Sequence, residues 1–291
     1  AAGYLWRKTL PNGKPERLTK GSDFEFEPCF SPDGKQLIFV SWNDTALGSI
    51  RLANNTPGTS VKTLTQEKGI YRAPRYSPDG NSIVFAMEAG NDHQGFSYTE
   101  KPGIYLMPSK GGAAKQLLKH GEYPCFSADG QRIFFSHNAT IFSGLEKSLK
   151  SCDLNGFDQR SHFTSKYSGL ITPSPDNKWV AFTELHKVYV APFALTGQAV
   201  ELSSANKSYP ISQVARDAGT SLHWSNDNKS LFWVSGQQYF KADLNKRFSF
   251  LAGAPDSIAP PDTAGIAIGL KLATDKPKGL TAMTNARIVT M

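Results

Sequence analysis

Short apolar runs recur along the chain behind polar turns. They are Leu37-Ile38-Phe39-Val40, Ile83-Val84-Phe85-Ala86, Ile133-Phe134-Phe135, Trp179-Val180-Ala181-Phe182 and Leu231-Phe232-Trp233-Val234. Each is rich in β-branched and aromatic residues and apolar at consecutive positions. That pattern predicts a strand covered on both faces by packed sheets. The runs sit inside five segments that align without gaps: FSPDGKQLIFVS from Phe30, YSPDGNSIVFAM from Tyr76, FSADGQRIFFSH from Phe126, PSPDNKWVAFTE from Pro173 and WSNDNKSLFWVS from Trp224.

The turn chemistry of these segments is uniform. Asp33, Asp79, Asp129, Asp176 and Asp227 can each accept hydrogen bonds from the backbone ahead, and each is followed by a residue that must tolerate positive φ. That residue is Gly34, Gly80, Gly130, Asn177 or Asn228, the two types that enter the left-handed region cheaply. The aspartates are structural turn residues. A calcium-ligand role is not needed to account for them, since the turn role suffices.

The aspartates recur 46, 50, 47 and 51 residues apart, a period suited to propeller blades or long helical repeats. A Pro-Asp-Gly centre in the repeat excludes helices. Third strands are predicted over 49–52, 104–107, 149–152, 188–190 and 239–242, and fourth strands over 62–64, 115–118, 160–163, 200–202 and 247–250. Four antiparallel strands per unit describe an all-β propeller. Ahead of the first unit, Tyr4-Leu5-Trp6-Arg7-Lys8 and Glu16-Arg17-Leu18-Thr19 read as the outer half of a further blade. The mean spacing divides the 291 residues into about six units. The expectation is therefore six blades within 1–272, with residues near 258–272 or upstream sequence supplying the missing inner strands, and 273–291 forming a linker and a further strand.

Composition narrows the function. No run approaches the length of a membrane-spanning helix. The net charge of +7 comes from singly scattered Lys and Arg rather than basic blocks, which gives a solvated basic surface and no nucleic-acid partner. Cys29, Cys125 and Cys152 show neither a C-x-x-C spacing nor an even count, so no disulfide framework or zinc site is expected. The six histidines stand far apart. No G-x-S-x-G elbow, P-loop or G-x-G-x-x-G is present. These features assign no catalytic residue, metal site or cofactor to the chain.

Propellers bind ligands where loops converge on the channel mouth. The candidates are the residues just before and within the innermost strands: Glu25, Glu27, Tyr71, Arg72, Arg75, Glu122, Tyr123 and His223. Cys29, Arg75, Cys125, Thr172 and His223 hold one equivalent place, four residues before the turn aspartate. Their variety argues for a lining not governed by core packing alone, and Glu27 with Arg75 is the structural pair to expect. Two insertions, 87–103 with Asp92 and His93 and 137–147, are the loops suited to gating the channel or docking a neighbour.

The S-P-D-G units with an aromatic-rich second strand resemble the TolB-type propeller repeat over roughly 24–251. The tail, Lys276-Pro-Lys-Gly-Leu-Thr-Ala-Met-Thr-Asn-Ala-Arg-Ile-Val-Thr-Met291, resembles the opening strand of amidohydrolases, some of which carry such repeats just before it. This resemblance implies a non-catalytic amino-terminal propeller of a larger metal-dependent amidohydrolase, with that carboxy-terminal domain as its partner. The divalent metal, zinc by the same resemblance, would belong to that domain, since the family's H-x-H motif does not occur here. Both resemblances imply a periplasmic or secreted protein. The alternative is a free-standing propeller that binds protein or peptide ligands.

Overall fold

A computed structural model describes residues 2–91, 96–97, 99–138, 145–225, 227–273, 278–279, 282 and 284–285. Among them are five antiparallel blades. Blade 1 is Phe24–Phe30, Gln36–Asn43, Leu47–Asn54 and Val61–Thr63. Blade 2 is Ile70–Tyr76, Ser82–Glu88, Gly103–Pro108 and Lys115–Leu118. Blade 3 is Glu122–Phe126, Arg132–Asn138, Glu146–Asp153 and Arg160–Lys166. Blade 4 is Ile171–Pro173, Trp179–Glu184, Lys187–Pro192 and Ser212–Gln213. Blade 5 is Thr220–Trp224, Ser230–Ser235, Gln238–Asp243 and Ile266–Ala267.

The apolar runs work as the alternation of a strand requires. Leu37 and Phe39 face the amino-terminal hairpin with Leu5 and Leu18, while Ile38 and Val40 join Ile83 and Phe85 of blade 2. Val84 turns the other way, to Ile133 and Phe135 of blade 3. Phe134 meets Val180 and Phe182 of blade 4, and Ala181 meets Leu231 and Trp233 of blade 5. The core is thus a series of interblade layers. Phe39, Phe85, Phe135 and Trp233, third in their runs, pack back on the preceding unit; in blade 4 the third place is Ala181, and Phe182 after it packs back instead.

The turns are built alike. Each Ser hydroxyl donates to its turn aspartate, from Ser31 to Asp33 at 2.6 Å through Ser225 to Asp227 at 2.5 Å. The same Ser oxygen accepts the amide five residues on, as from Gln36 at 3.0 Å. Gly34, Gly80, Gly130, Asn177 and Asn228 have φ of 69°, 74°, 70°, 55° and 60°. The two asparagines do more than turn the chain. Asn177 Oδ1 accepts the amide of Ala128 at 2.7 Å, and Asn228 Oδ1 that of Asp176 at 3.1 Å, tying each turn to the blade before it.

Three expectations are corrected. There are five blades among the described residues and not six: Ile266–Ala267 pairs with Gln238–Asp243 and completes blade 5 instead of opening another sheet. Pro255, Pro260 and Pro261 deny the preceding stretch ladder donors, so it cannot make inner strands. The amino-terminal strands Trp6–Arg7 and Glu16–Arg17 form a hairpin alone. Lys8 Nζ donates to the carbonyls of Ala267 and Ile268, so the hairpin touches both blade 1 and the outer edge of blade 5.

The predicted fourth strand at 200–202 belongs to another sheet. Val200–Glu201 pairs in parallel with Arg160–Lys166 of blade 3, because fully buried Leu202 is fixed in the core between blades 3 and 4. Ser212–Gln213 takes its place in blade 4. The segment 247–250 is likewise no strand. A short 3-10 turn, Leu244–Lys246, delivers Phe248 onto Trp179, with ring centroids 5.0 Å apart. Burial of that ring decides the path.

Candidate functional site

The innermost strands of blades 1, 2, 3 and 5 carry a feature that side-chain patterning did not announce. Their ladders slip between Phe26 and Cys29, Arg72 and Arg75, Glu122 and Cys125, and Thr220 and His223. At each slip one residue six before the turn aspartate has positive φ: Glu27 at 53°, Ala73 at 47°, Tyr123 at 48° and Ser221 at 54°. These are β-bulges, which re-aim side chains at sheet edges. Glu, Ala, Tyr and Ser have no preference for that conformation, so composition hid it. The available signal was Pro28, Pro74 and Pro124, each just after the bulged residue, since proline inside a strand marks such an irregularity.

The bulges bring charged residues of three blades together. Glu27 Oε1 accepts from Arg72 Nε at 2.8 Å, and Glu27 Oε2 from the amide of Ala73 at 2.5 Å. The carboxylate of blade 1 thus caps the strained bulge of blade 2. Arg72 Nη1 reaches Glu88 at 3.2 Å. In blade 3, Lys147 Nζ lies 3.6 Å from Glu122, 2.8 Å from the carbonyl of Gly169 and 5.5 Å from the centre of the Tyr123 ring. The expected pair of Glu27 with Arg75 does not form. The bulge turns Arg72 towards Glu27, and Arg75 lies beyond the slip.

Burial and charge act together here. Glu88 is pushed up by burial, opposed by Arg72 and reinforced by Glu122 and Glu27. Lys147 is pushed down by burial, with Glu122 opposing. Burial works against the charge of Arg72, but Glu27 and Glu88 outweigh it and raise the guanidinium pKa. Burial raises Tyr123 as well. The result is a charged surface over the bulges of blades 1 to 3, with Tyr123 exposed beside it.

Not every candidate joins it. Glu25 is 3% exposed and holds the amino-terminal hairpin: its Oε2 accepts from Leu5 N at 3.1 Å and Thr19 Oγ1 at 2.6 Å. Tyr71 is a core residue, 2% exposed, whose hydroxyl donates to the carbonyl of Glu67 and is pushed up to about 12 by burial. Arg75 and His223 lie outside these ion pairs. His223 stacks on Phe232 at 5.3 Å and Tyr239 at 5.6 Å, with Nε2 2.7 Å from the Tyr239 hydroxyl. Asp92 and His93 of the first insertion, residues 139–144 of the second and 286–291 of the tail lie outside the described residues.

The sequence profile of the TolB beta propeller domain family matches residues 4–188. The chain belongs to that family. Uncharacterized peptidase YuxL of Bacillus subtilis is 27% identical over 167 residues, 47% of this chain and 25% of that protein. The Tol-Pal system protein TolB of Francisella tularensis is 30% identical over 90 residues, 31% of this chain and 19% of that one. The chain thus spans at most about a quarter of the length of these relatives. Among solved structures, putative TolB from Agrobacterium tumefaciens superposes with a TM-score of 0.58 at 16% identity, over 79% of this chain and 81% of that one. TolB from Acinetobacter baumannii gives 0.59 at 18%, over 82% and 56%. An oligogalacturonate lyase in complex with manganese gives 0.54 at 12%, over 80% and 68%. At these identities the likeness is one of fold.

Within this TolB-type propeller the cysteines are free thiols, and burial pushes Cys125 up to about 12 and Cys152 to about 11. His120 and His137, remote in sequence, come together with ring centroids 4.8 Å apart. Among the described residues no group of three or more His, Cys, Asp or Glu converges as a metal site would require. No helix among them is long and apolar enough to cross a membrane.

Proposed function

We propose that the chain is the non-catalytic propeller of a longer metal-dependent amidohydrolase, in a periplasmic or secreted protein. Its bulge-end surface docks the hydrolase domain and governs substrate access or binding. The observation that carries this reading is the tail, Thr284-Asn-Ala-Arg-Ile-Val-Thr-Met291, with its resemblance to an amidohydrolase opening strand. The match to a quarter of a peptidase supports the pairing of such a propeller with a hydrolase. The Glu27–Arg72–Glu88 array supports the docking role: it is ion-paired, charged on both signs and set beside an exposed tyrosine, the makeup of an interface rim with an aromatic anchor.

The implied divalent metal does not fit this chain's described residues, which bring no three ligands together, and no step is derived through it. The second reading, a free-standing propeller binding protein or peptide ligands, is favoured by the identity to TolB over 90 residues. The codons that follow Met291 separate the two. A reading frame that continues into an H-x-H motif supports the hydrolase; a stop codon sinks it and leaves the free-standing binder.

A further inference from the structure

The fourth strand of blade 3, Arg160–Lys166, is covered on its outer side over only part of its length. Val200–Glu201 pairs there with Phe163 and Thr164, and the ladder goes no further. Arg160, Ser161 and His162 therefore have no strand partner on that side. Residues 194–199, which lead into Val200, do not close on them. They make a turn of their own, with Gly197 at φ of 75° and the Thr196 hydroxyl donating to the Gln198 carbonyl at 2.6 Å. Between residues 159–162 and 194–199 lies a cavity of about 440 Å³. An unpaired strand edge with room beside it is where an extended chain can add to a sheet.

One side chain of that edge is held ready for a ligand. His162 is 8% exposed, packs between Phe134 and Phe193 and borders the cavity. Its Nε2 lies 2.8 Å from Ser151 Oγ, which also accepts from Arg132 Nε at 3.0 Å. Ser151 is fully buried, and its hydroxyl has no other partner among the described residues. Its proton therefore goes to Nε2, and the imidazole carries its own on Nδ1. Burial, with Arg132 and Arg160 adding, lowers the ring's pKa to about 4 and keeps it neutral. Nδ1 makes no hydrogen bond to a described residue. The buried side-chain atoms left without a partner among the described residues are Arg17 Nε and Glu25 Oε1, so Nδ1 is open, and the cavity is the space it borders. Arg160 at the rim is held by Asp158 at 2.6 Å, which leaves amides, hydroxyls and aliphatic groups for the remaining wall. The site thus offers a fixed N–H donor and no unpaired ion.

We propose that this cavity takes an extended, uncharged peptide segment, which lies beside Arg160–His162 as a further strand of blade 3 and sets a carbonyl oxygen on His162 Nδ1–H. The open edge is about 10 Å long, enough to pair three residues of the guest. Ala194, Leu195 and Ala199 give the guest an aliphatic wall. A saccharide would also suit amides and hydroxyls, but it has no main chain with which to continue a ladder. The inference does not rest on the hydrolase reading, and its residues are not those of the Glu27–Arg72–Glu88 array.

The probe is acetyl-tetraalanine amide, titrated into the full, isotope-labelled 291-residue chain. NMR follows the backbone amides of residues 159–162 and the two imidazole nitrogens of His162. The free chain is expected to show the Nδ1–H tautomer. The peptide is expected to shift these resonances saturably, with Nδ1 moving more than Nε2. The same peptide with every amide N-methylated is expected to leave them unmoved. Ala199→Trp, on the exposed wall, fills the cavity and is expected to abolish the response. His162→Phe keeps a ring in the layer without the donor and is expected to weaken binding about tenfold. Maltotetraose is the saccharide control. An Nε2–H tautomer in the free chain, no saturable shift with the peptide, a response to maltotetraose alone, or an undiminished response in folded Ala199→Trp overturns the proposal. The hydrolase reading is decided separately, by the codons after Met291.

Discussion

Glu27 of blade 1 grips blade 2 twice: one carboxylate oxygen takes Arg72 Nε at 2.8 Å and the other takes the amide of Ala73 at 2.5 Å. The second bond matters more than the first. Ala73 holds φ of 47°, a conformation alanine adopts at a cost of roughly 1–2 kcal/mol, and the carboxylate stabilises the amide that this conformation exposes.

Glu27→Gln keeps the shape and removes the charge. It is expected to destabilise the chain by about 1–2 kcal/mol, since the ion pair is partly solvated and the amide bond weakens without being lost. Urea unfolding measures it. Arg72→Ala is expected to raise the Glu88 pKa further, because the cation that opposes its burial is gone; a carbon-detected carboxylate titration reads that shift.

His162 sets a pH dependence. Its Nε2 lies 2.8 Å from Ser151 Oγ and its ring packs between Phe134 and Phe193, at 5.2 and 5.5 Å. Burial, with Arg132 and Arg160 adding, lowers its pKa from 6.5 to about 4. The unfolded chain takes up the proton first, so stability falls as pH drops from 6.5 to about 4 and levels off below. The loss from this group is on the order of 3 kcal/mol. Unfolding midpoints measured across that range should flatten in His162→Gln; an equal slope in the variant would show that other groups carry the acid sensitivity.

Two glycines separate conformational strain from steric exclusion. A Cβ on Gly34, at φ of 69°, meets nothing within 4 Å, so Gly34→Ala is expected to cost about 1 kcal/mol. On Gly103, at φ of 141°, a Cβ would lie 1.9 Å from the Leu118 carbonyl oxygen of its own blade. Gly103→Ala is expected to cost about 3 kcal/mol or more, with the outermost strand of blade 2 displaced. Thermal melts of the two variants should differ by many degrees.

Phe85 and Phe232 test the blade arrangement. Phe85 is sealed between blades 1 and 2, whereas Phe232 is half-buried on the side of blade 5 that meets no sixth blade among the described residues. Phe85→Ala is expected to cost about 3–5 kcal/mol, and Phe232→Ala about half as much or less. Equal losses in denaturant unfolding would mean that the outer side of blade 5 is as closely covered as the interblade cores.

The legible part of the fold is local. Ser31 to Asp33 to Gly34, and its four repeats, specify the hairpin by side-chain-to-backbone bonds within six residues, so the turns and the second and third strands could be placed from the chain alone. The outermost strands of blades 1 to 3 fall where the chain predicts them; those of blades 4 and 5 do not. Val200–Glu201 and Ser212–Gln213 are both short and polar-flanked, and which of them joins blade 4 depends on where Leu202 finds its pocket. The candidate site divides in the same way. Arg72, Glu27, Glu122 and Tyr123 were placed near the channel by their position before the turn. The choice of Arg72 over Arg75 as partner of Glu27 follows from a backbone slip whose one trace was a recurring proline.

The amino-acid sequence by itself determined the repeating unit and the all-β architecture, because these depend on φ/ψ preferences at the turns and on the apolar run behind each one. Only the tertiary structure decided the number of blades, the ownership of their edges and the pairing of charges around the channel. Those are settled by competition between distant segments for the same buried surface, and nothing in the order of residues ranks the competitors.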